Sequence, residues 1–555
     1  MIKHLLIIML LSIIFQPLVA QNEYSTNQQV EKRLQNLSKD KAVSLTSLAK
    51  TEGGQDIWVL KIGTDNVDKK PAIAIVGGVE GYHILSVELA IQFAERLISQ
   101  YKDALDNTAF YVFPNMSPDA YAQYFDDIKY ERRGNQTQID HDRDGKISED
   151  PYEDLNNDGF ITKMRIESPL GDYKTHPEDS RVLVKANRSK GEKGNYLVFS
   201  EGIDNDKDGQ FNEDPSEGIA FNKNLTYQFP VFEPFAGDYP VSQKETRALI
   251  DYLYDQWNIF AFITFSPANN LSEPLKYNEQ KANNRIVSSI QKKDASINKM
   301  VSELYNTNIS QTAFQQDNKG TDGDFFQWAY FHFGRLSFST PGWWVPEIKV
   351  KNSEENESDK DESNVKDTKI KSSKKKPVVT KTSNFMAWAD QEGMTDVFIP
   401  WTKLNHPDFP EQTVEVGGIK PFVMHNPPYK MVDSIALEHT NFILEFAKMQ
   451  PKLEFHNLKV EKLGNKLSRI TVDLYNNAPL PTHSELGEKS RWLRKIRIDI
   501  DKDKKEILAG NTIKLIDKLD AFETETLTWI VKGSDNVEIK AGAAHTGFVT
   551  LNVKL

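Results

Sequence analysis

Cysteine is absent from all 555 residues, so neither a disulfide nor thiolate chemistry is open to this chain. Beyond the first twenty residues there is also no apolar run near the roughly 20 residues that cross a bilayer, which excludes an integral membrane protein. A basic excess is missing as well: 68 Lys and Arg against 80 Asp and Glu leave a net charge of -12, the wrong sign for a nucleic-acid partner. The one apolar stretch of note runs from Leu5 to Phe15, follows Lys3, and ends before the small residue Ala20. That is the pattern of a cleavable secretory signal over residues 1–20, and it predicts export to the periplasm or beyond. No cysteine follows it to carry a lipid anchor, and stability must come from packing and bound ions.

The acidic residues are not all scattered. Asp140, Asp142 and Asp144 precede Gly145, and the same spacing recurs as Asp204, Asp206 and Asp208 before Gly209. Asp154, Asn156 and Asp158 before Gly159 form a third, shorter version. Oxygen donors at positions one, three and five, followed by a glycine that permits the turn, suit a hard cation such as calcium. Pro151 and Pro215 stand where the usual twelfth-position Glu would be. Closure therefore falls to Glu149, Asp150, Glu153 or Asp154 in one loop and to Glu213, Asp214 or Glu217 in the other. The motif offers ligands but no proton-transfer group, so calcium here is expected to be structural.

Strand-like and helix-like stretches alternate through the first 450 residues. Ile73–Val76, Ala109–Phe113 and Phe260–Phe265 read as strands, and the segments holding Ile84 to Ile98 and Lys244 to Trp257 as helices. This order predicts an α/β domain with a mainly parallel or mixed sheet over residues 21–450, with acidic loops at 140–162 and 204–217 and ligands gathered beyond the strand ends. Residues 351–380 are nearly devoid of apolar side chains and are expected to be a disordered insertion. Met431 to Met449 reads as a helix. From 451 to 555 the pattern changes to period two, as in Leu467–Leu474, Leu493–Ile498 and Phe548–Val553, and predicts a C-terminal β-sandwich.

Several separated motifs share an order with one family. Gly77-Gly78-Val79-Glu80-Gly81-Tyr82-His83 follows the first buried strand, and Phe113-Pro114-Asn115-Met116-Ser117-Pro118-Asp119 follows the second. Ile219–Leu225, Gly237–Thr246 and Trp328-Ala329-Tyr330 come later in turn. From about residue 24 to 450 the chain resembles the zinc carboxypeptidases, the M14 metallopeptidases. The resemblance implies a zinc-carboxypeptidase-like mixed sheet flanked by helices, and descent from an enzyme that holds zinc with His, Glu and a later His and activates water with another Glu.

Carried over residue by residue, that site is altered at every step. The first two ligand positions hold Glu80 and His83, the reverse of the family order, and the third holds Ser266, whose hydroxyl is a poor substitute for imidazole. Pro341 or Gly342 stands where the catalytic Glu belongs, and neither accepts a proton. On the substrate side, the carbonyl-polarising arginine is matched by Arg133 or by its neighbour Arg132. Asn222 survives from the pair that grips a terminal carboxylate, with Lys223 in place of Arg. Glu347 and His332 are the nearest alternatives for restoring the chemistry; we read Glu347 as surface and His332 as a satisfied core or edge group.

These readings point to an exported carboxypeptidase-like protein that lacks catalysis, binds little or no zinc, carries structural calcium, and uses its cleft for a peptide or cell-surface ligand. An active metallopeptidase, carboxypeptidase or amidase, built on Glu80 and His83 is the alternative.

Overall fold

The computed structural model describes residues 23–141, 145–212, 214–311, 319–348, 379–490 and 492–555. The Met1–Ala20 segment, Asp142 and Asp144, Glu213, and the 351–380 insertion up to residue 378 lie outside the described residues. Among the described residues no helix is long and apolar enough to cross a membrane.

A six-stranded mixed sheet carries the first body. Its strands are β1 (Val43–Lys50), β2 (Asp56–Ile62), β3 (Ala72–Val76), β4 (Ala109–Phe113), β9 (Ile259–Phe265) and β10 (Leu336–Thr340), in the order β1-β2-β4-β3-β9-β10. The four strands β4, β3, β9 and β10 are parallel, and β1 and β2 add an antiparallel edge. Parallel strands need both faces covered because each crossover lays a helix on one of them. Every residue of β3, β4, β9 and β10 is accordingly buried.

The period of two sorts the side chains. Ile73 and Ile75 join the core formed with the helices Ile84–Gln100, Lys292–Asn308 and Val432–Ala447. Ala72, Ala74 and Val76 join the opposite core, with Leu249 of the Lys244–Asp255 helix and Trp328 of the Phe325–Phe331 helix.

A second six-stranded sheet is built from two insertions far apart in sequence. It comprises β5 (Lys163–Glu167), β6 (Tyr173–Thr175), β7 (Leu183–Lys185), β8 (Tyr196–Ser200), β11 (Phe398–Leu404) and β12 (Val414–Ile419). The order is β11-β12-β5-β8-β6-β7, antiparallel throughout. Met164, Ile166, Val414 and Val416 give it a small core of its own.

The C-terminal region is a β-sandwich. One sheet pairs β13 (Leu453–Gly464), β14 (Leu467–Asn476), β18 (Thr524–Lys532) and β16 (Ile507–Ala509); the other pairs β17 (Ile513–Ile516), β15 (Ile496–Ile500), β19 (Val537–Ala543) and β20 (Gly547–Val553). Alternate residues such as Ile470, Val472 and Leu474 turn inward to meet Ile496, Ile498 and Ile539. Burying each such side chain stabilises by about 1.5–3 kcal/mol before chain entropy is counted.

The acidic loops adjoin the second sheet, and two of them close each other. Asp150 of the first loop accepts from the backbone N–H groups of Asn205 at 3.3 Å and Asn212 at 2.8 Å in the second. Asp214 of the second accepts from His141 at 2.8 Å and from Ser148 in the first. The donating positions match between loops, being the second and ninth residues of each, and Asp150 and Asp214 also form an antiparallel bridge. Of the other closure candidates, Glu153 accepts from the Ile203 N–H and Glu217 from the N–H groups of Arg133 and Gly134, so neither turns back into its own loop.

Candidate functional site

The strand ends of β3, β9 and β10 meet at the turn Gly77–His83, as the sequence order predicts. Gly78 has φ +61°, and a Cβ there would lie 2.4 Å from Asn115 Oδ1, so the turn requires glycine. It delivers His83 to the start of the Ile84–Gln100 helix, where Nε2 lies 3.0 Å from the Pro341 carbonyl oxygen. A carbonyl only accepts, so Nε2 carries the proton and donates. Nδ1 is then a lone-pair nitrogen, buried with no hydrogen-bond partner among the described residues. Burial pushes the His83 pKa down to about 3, with a smaller contribution from His425, so the ring is neutral.

The third position holds no comparable donor. Ser266 is buried beside β10, with its N–H on the Thr340 carbonyl at 3.0 Å and its Oγ 2.8 Å from Ser339 Oγ. Ser339 Oγ donates to the Thr264 carbonyl, so Ser266 is the donor to Ser339, and its hydroxyl is committed to the sheet edge. Pro341 is tied up as the acceptor for His83. Gly342 has φ +74°, and a Cβ at that position would lie 2.3 Å from Leu89 Cδ1, so any side chain there is strained and crowded. No carboxylate stands at either position.

Glu80 is drawn into a polar cluster. Its Oε1 accepts from Asn222 Nδ2 at 2.9 Å, while Asn222 Oδ1 accepts from the Phe325 N–H at 2.9 Å. Burial raises the Glu80 pKa; the Asn222 bond and the charges of Arg133 and Lys223 oppose that shift. Lys223 itself reaches Glu233 at 3.4 Å and the Pro234 carbonyl at 3.2 Å. Nearby Asp324, which the sequence reading did not single out, caps the Phe325–Phe331 helix by accepting from Thr321 and Gln327 N–H groups at 2.6 and 2.8 Å. Burial pushes its pKa up to about 7, and Glu80 adds to the shift. Its signal was present in the sequence as an Asp directly before an apolar helical run.

The two arginines separate in role. Arg132 is buried and donates to the carbonyls of Gly134, Asn135 and Ser216, which makes it a brace for the loop. Arg133 is exposed, with its guanidinium 5.9 Å from the centre of the Tyr82 ring. It lines a cavity of about 580 Å³ between this turn region and the second sheet, together with Glu131, Lys163, Glu217, Trp401 and His425. A larger groove of about 870 Å³ near Tyr101 and Asn441 contains none of these residues. Of the alternatives for restoring chemistry, Glu347 is exposed and His332 is bonded to Thr226 Oγ1 at 2.7 Å.

This donor set does not fit a zinc ion. A catalytic zinc takes three protein ligands converging on one point. Here one carboxylate binds an amide, one imidazole nitrogen binds a carbonyl, and the hydroxyl binds another serine. Among the described residues, the one group of three or more His, Asp or Glu side chains whose ligand atoms converge is elsewhere, at Asp204, Asp206 and Asp208, within 4.8 Å of one another. Both this loop and the one at Asp154, Asn156 and Asp158 also receive backbone N–H groups from within themselves, and Asp140 accepts from the Gly145 N–H at 2.9 Å.

Solved structures that align with the chain include bovine thrombin-activatable fibrinolysis inhibitor in complex with tick carboxypeptidase inhibitor, at 14% identity over 57% of this chain and 86% of that one, with a TM-score of 0.35. Carboxypeptidase A from Helicoverpa armigera aligns at 13% identity over 57% and 64%, TM-score 0.35. A metallo-carboxypeptidase from Burkholderia cenocepacia aligns at 12% over 57% and 60%, TM-score 0.31. The chain thus spans less than two thirds of the latter two. No curated protein matches. Residues 452–554 match a domain of unknown function (DUF8731). The zinc carboxypeptidase profile matches residues 30–342, more than half of the chain, and on that match the chain belongs to the zinc carboxypeptidase family, the M14 peptidases.

Proposed function

We propose that this protein is an exported, catalytically inactive M14 member that binds a peptide, free or displayed on a cell surface, in the former active-site cleft. The observation that carries the reading is the joint loss of the third ligand, an imidazole, at Ser266 and of the proton acceptor at Pro341 and Gly342. Without the first, a zinc ion lacks a ligand; without the second, a bound water lacks a base. The Met1–Ala20 signal pattern supports export. Structural calcium in the paired acidic loops belongs to the same reading, supported by the convergence of Asp204, Asp206 and Asp208.

A second reading, an active metallopeptidase or amidase on Glu80 and His83, draws on one observation: the buried, unpartnered lone pair of His83 Nδ1. Titration calorimetry and peptide hydrolysis separate the two. The wild-type protein is expected to show no tight zinc site and no hydrolysis above background. Ser266→His is expected to raise zinc affinity roughly tenfold or more by adding an imidazole, with hydrolysis still at background. One tightly held zinc in the wild type, with peptide cleavage abolished by a chelator, overturns the inactive reading. Robust cleavage by Ser266→His alone would show that another base serves the site.

A further inference from the structure

The second sheet buries one face in its own core and turns the other toward the cleft. Met164, Ile166, Val414 and Val416, with Leu197 and Phe199 packed on them, hold the first face together. Alternate residues point the opposite way, and among these Lys163, Val198, Ser200 and Ile419 line the cavity of about 580 Å³ beside the Gly77–His83 turn. Ile161, Val182, Leu183 and Met424 extend its apolar wall. A sheet face that met only water would carry polar alternate residues; here Val198 and Ile419 are half-buried with an apolar cavity in front of them.

The polar groups of that cavity are already satisfied. Thr162 Oγ1 donates to Glu201 at 3.0 Å, and Trp401 Nε1 to the Arg181 carbonyl at 3.2 Å. Arg181 is paired with Asp179 and Asp390, and Lys420 with Asp396. Glu131 and Glu217 offset Lys163 and Arg133, and Glu131 is the charge that acts on Lys163. The lining is therefore close to neutral, and what it leaves without a partner is apolar surface. Open aromatic faces, which a saccharide would need for stacking, are scarce. Arg165 lies 4.3 Å from the centre of the Trp401 ring, and the Tyr130 and Tyr152 rings, 4.4 Å apart, pack on each other.

Building on the ligand-binding reading above, we propose that this cavity is a side-chain subsite: it takes an aromatic or large aliphatic side chain of a peptide laid in the cleft and does not select for charge. Two residues tie it to the cleft. Arg133 lines the cavity while its charge acts on Glu80, and His425 lines it while its charge acts on His83. The volume falls in the range of ligand pockets, about 300–1,000 Å³, and admits a ring together with the backbone that carries it. Affinity comes from apolar surface removed from water against Val198, Ile419 and Met424.

The experiment uses the full chain, titrated with N-acetylated, C-terminally amidated Ala-Ala-Phe-Ala-Ala, with its counterparts bearing Ala, Glu or Lys at the central position, and with maltotetraose. The Phe peptide is expected to bind and the Ala counterpart to bind about tenfold more weakly or worse. The Glu and Lys counterparts should be weakened similarly and lie within about threefold of each other, because the lining charges are compensated. Ser200→Phe fills the cavity from a half-buried position and should bring the Phe and Ala peptides within about threefold of each other. Val198→Ala, the milder change, should weaken the Phe peptide by about threefold and leave the Ala peptide unchanged; it decides the matter if Ser200→Phe lowers the melting temperature. Equal binding of the Phe and Ala peptides, a preference for the Glu or Lys counterpart, or a full Phe preference in a stably folded Ser200→Phe each overturns this proposal and leaves the peptide reading standing. Maltotetraose binding with no peptide binding overturns both. Chelator-sensitive cleavage of the Phe peptide would overturn the inactive reading and leave the side-chain selectivity standing. Absence of binding by every probe overturns this proposal, and the zinc titration still decides the question of catalysis.

Discussion

Asp324 shows at the residue scale how burial and hydrogen bonding contend for one proton. Two backbone N–H bonds favour its anion, yet burial outweighs them and raises its pKa from 3.8 to about 7. Between those values the folded protein holds a proton that the unfolded chain releases. Stability from this group is therefore complete below about pH 4 and is lost as pH rises through about 7. Asp324→Asn keeps an oxygen for the helix cap but cannot ionise. It gives up the second acceptor, and it is expected to remove this part of the pH dependence, so that its stability relative to wild type improves by about 1–3 kcal/mol between pH 4 and pH 8. Chemical denaturation of both proteins at the two pH values checks it; a wild-type advantage that grows with pH would contradict the assignment. His83 has the opposite sign. Its depressed pKa, about 3, means that the unfolded chain binds the extra proton, so its contribution is present above about pH 6.5 and is lost on acidification.

At the scale of elements, the reciprocal closure of the acidic loops makes each depend on a residue from the other. Asp214 lies outside the D-x-D-x-D run of its own loop, yet it holds the backbone of His141 and Ser148 in the first. Calcium bound to the folded form alone raises the melting temperature by mass action. Scanning calorimetry in millimolar calcium should therefore show an upward shift that Asp206→Ala reduces by about half or more. Asp214→Ala should reduce it comparably to Asp142→Ala, although only the latter removes a residue of the proposed ligand set. Identical melts in calcium and in chelator would mean that these turns are solvated connections. The sequence displayed the loops through their spacing, but the cross-closure was hidden, because Asp150 and Asp214 are 64 positions apart in similar local contexts. The central strands were legible for the reason they are stable: β4 and β9 are continuous apolar runs bounded by turns. The second sheet was not. Its β6 and β7 have three residues each, and β5 pairs with β12 some 250 positions away, a partnership that no local period reveals. At the site the same limit applies: the losses at Ser266 and Pro341 were readable one residue at a time, whereas the bond from Asn222 to Glu80 joins segments 142 positions apart.

For the whole molecule, the junction between the peptidase-like body and the β-sandwich turns on one buried carboxylate. Asp294, in the first turn of the Lys292–Asn308 helix, accepts from the N–H groups of Glu485 and Leu486 at 2.8 and 3.1 Å and from Tyr330 OH at 2.7 Å. Those N–H groups open the short helix Glu485–Ser490 between β14 and β15, so the β-sandwich is anchored through a helix start that would otherwise present bare donors. Ser484 Oγ adds a bond to the Gly334 carbonyl, and Lys293 pairs with Asp520 at the exposed rim. Asp294→Ala leaves two buried donors and one part-buried donor without an acceptor and is expected to cost about 3 kcal/mol. Because those donors sit at the junction, the loss should appear as weakened coupling between the bodies rather than as failure of either core. Calorimetry should then resolve two transitions where the wild type shows closer ones, with the β-sandwich core of Ile470, Val472 and Ile498 still melting cooperatively. Lys293→Ala removes only an exposed pair, worth about 1 kcal/mol or less, and should leave the coupling unchanged. If Asp294→Ala melts as the wild type does, the junction is held by its apolar contacts and the buried carboxylate is incidental to it.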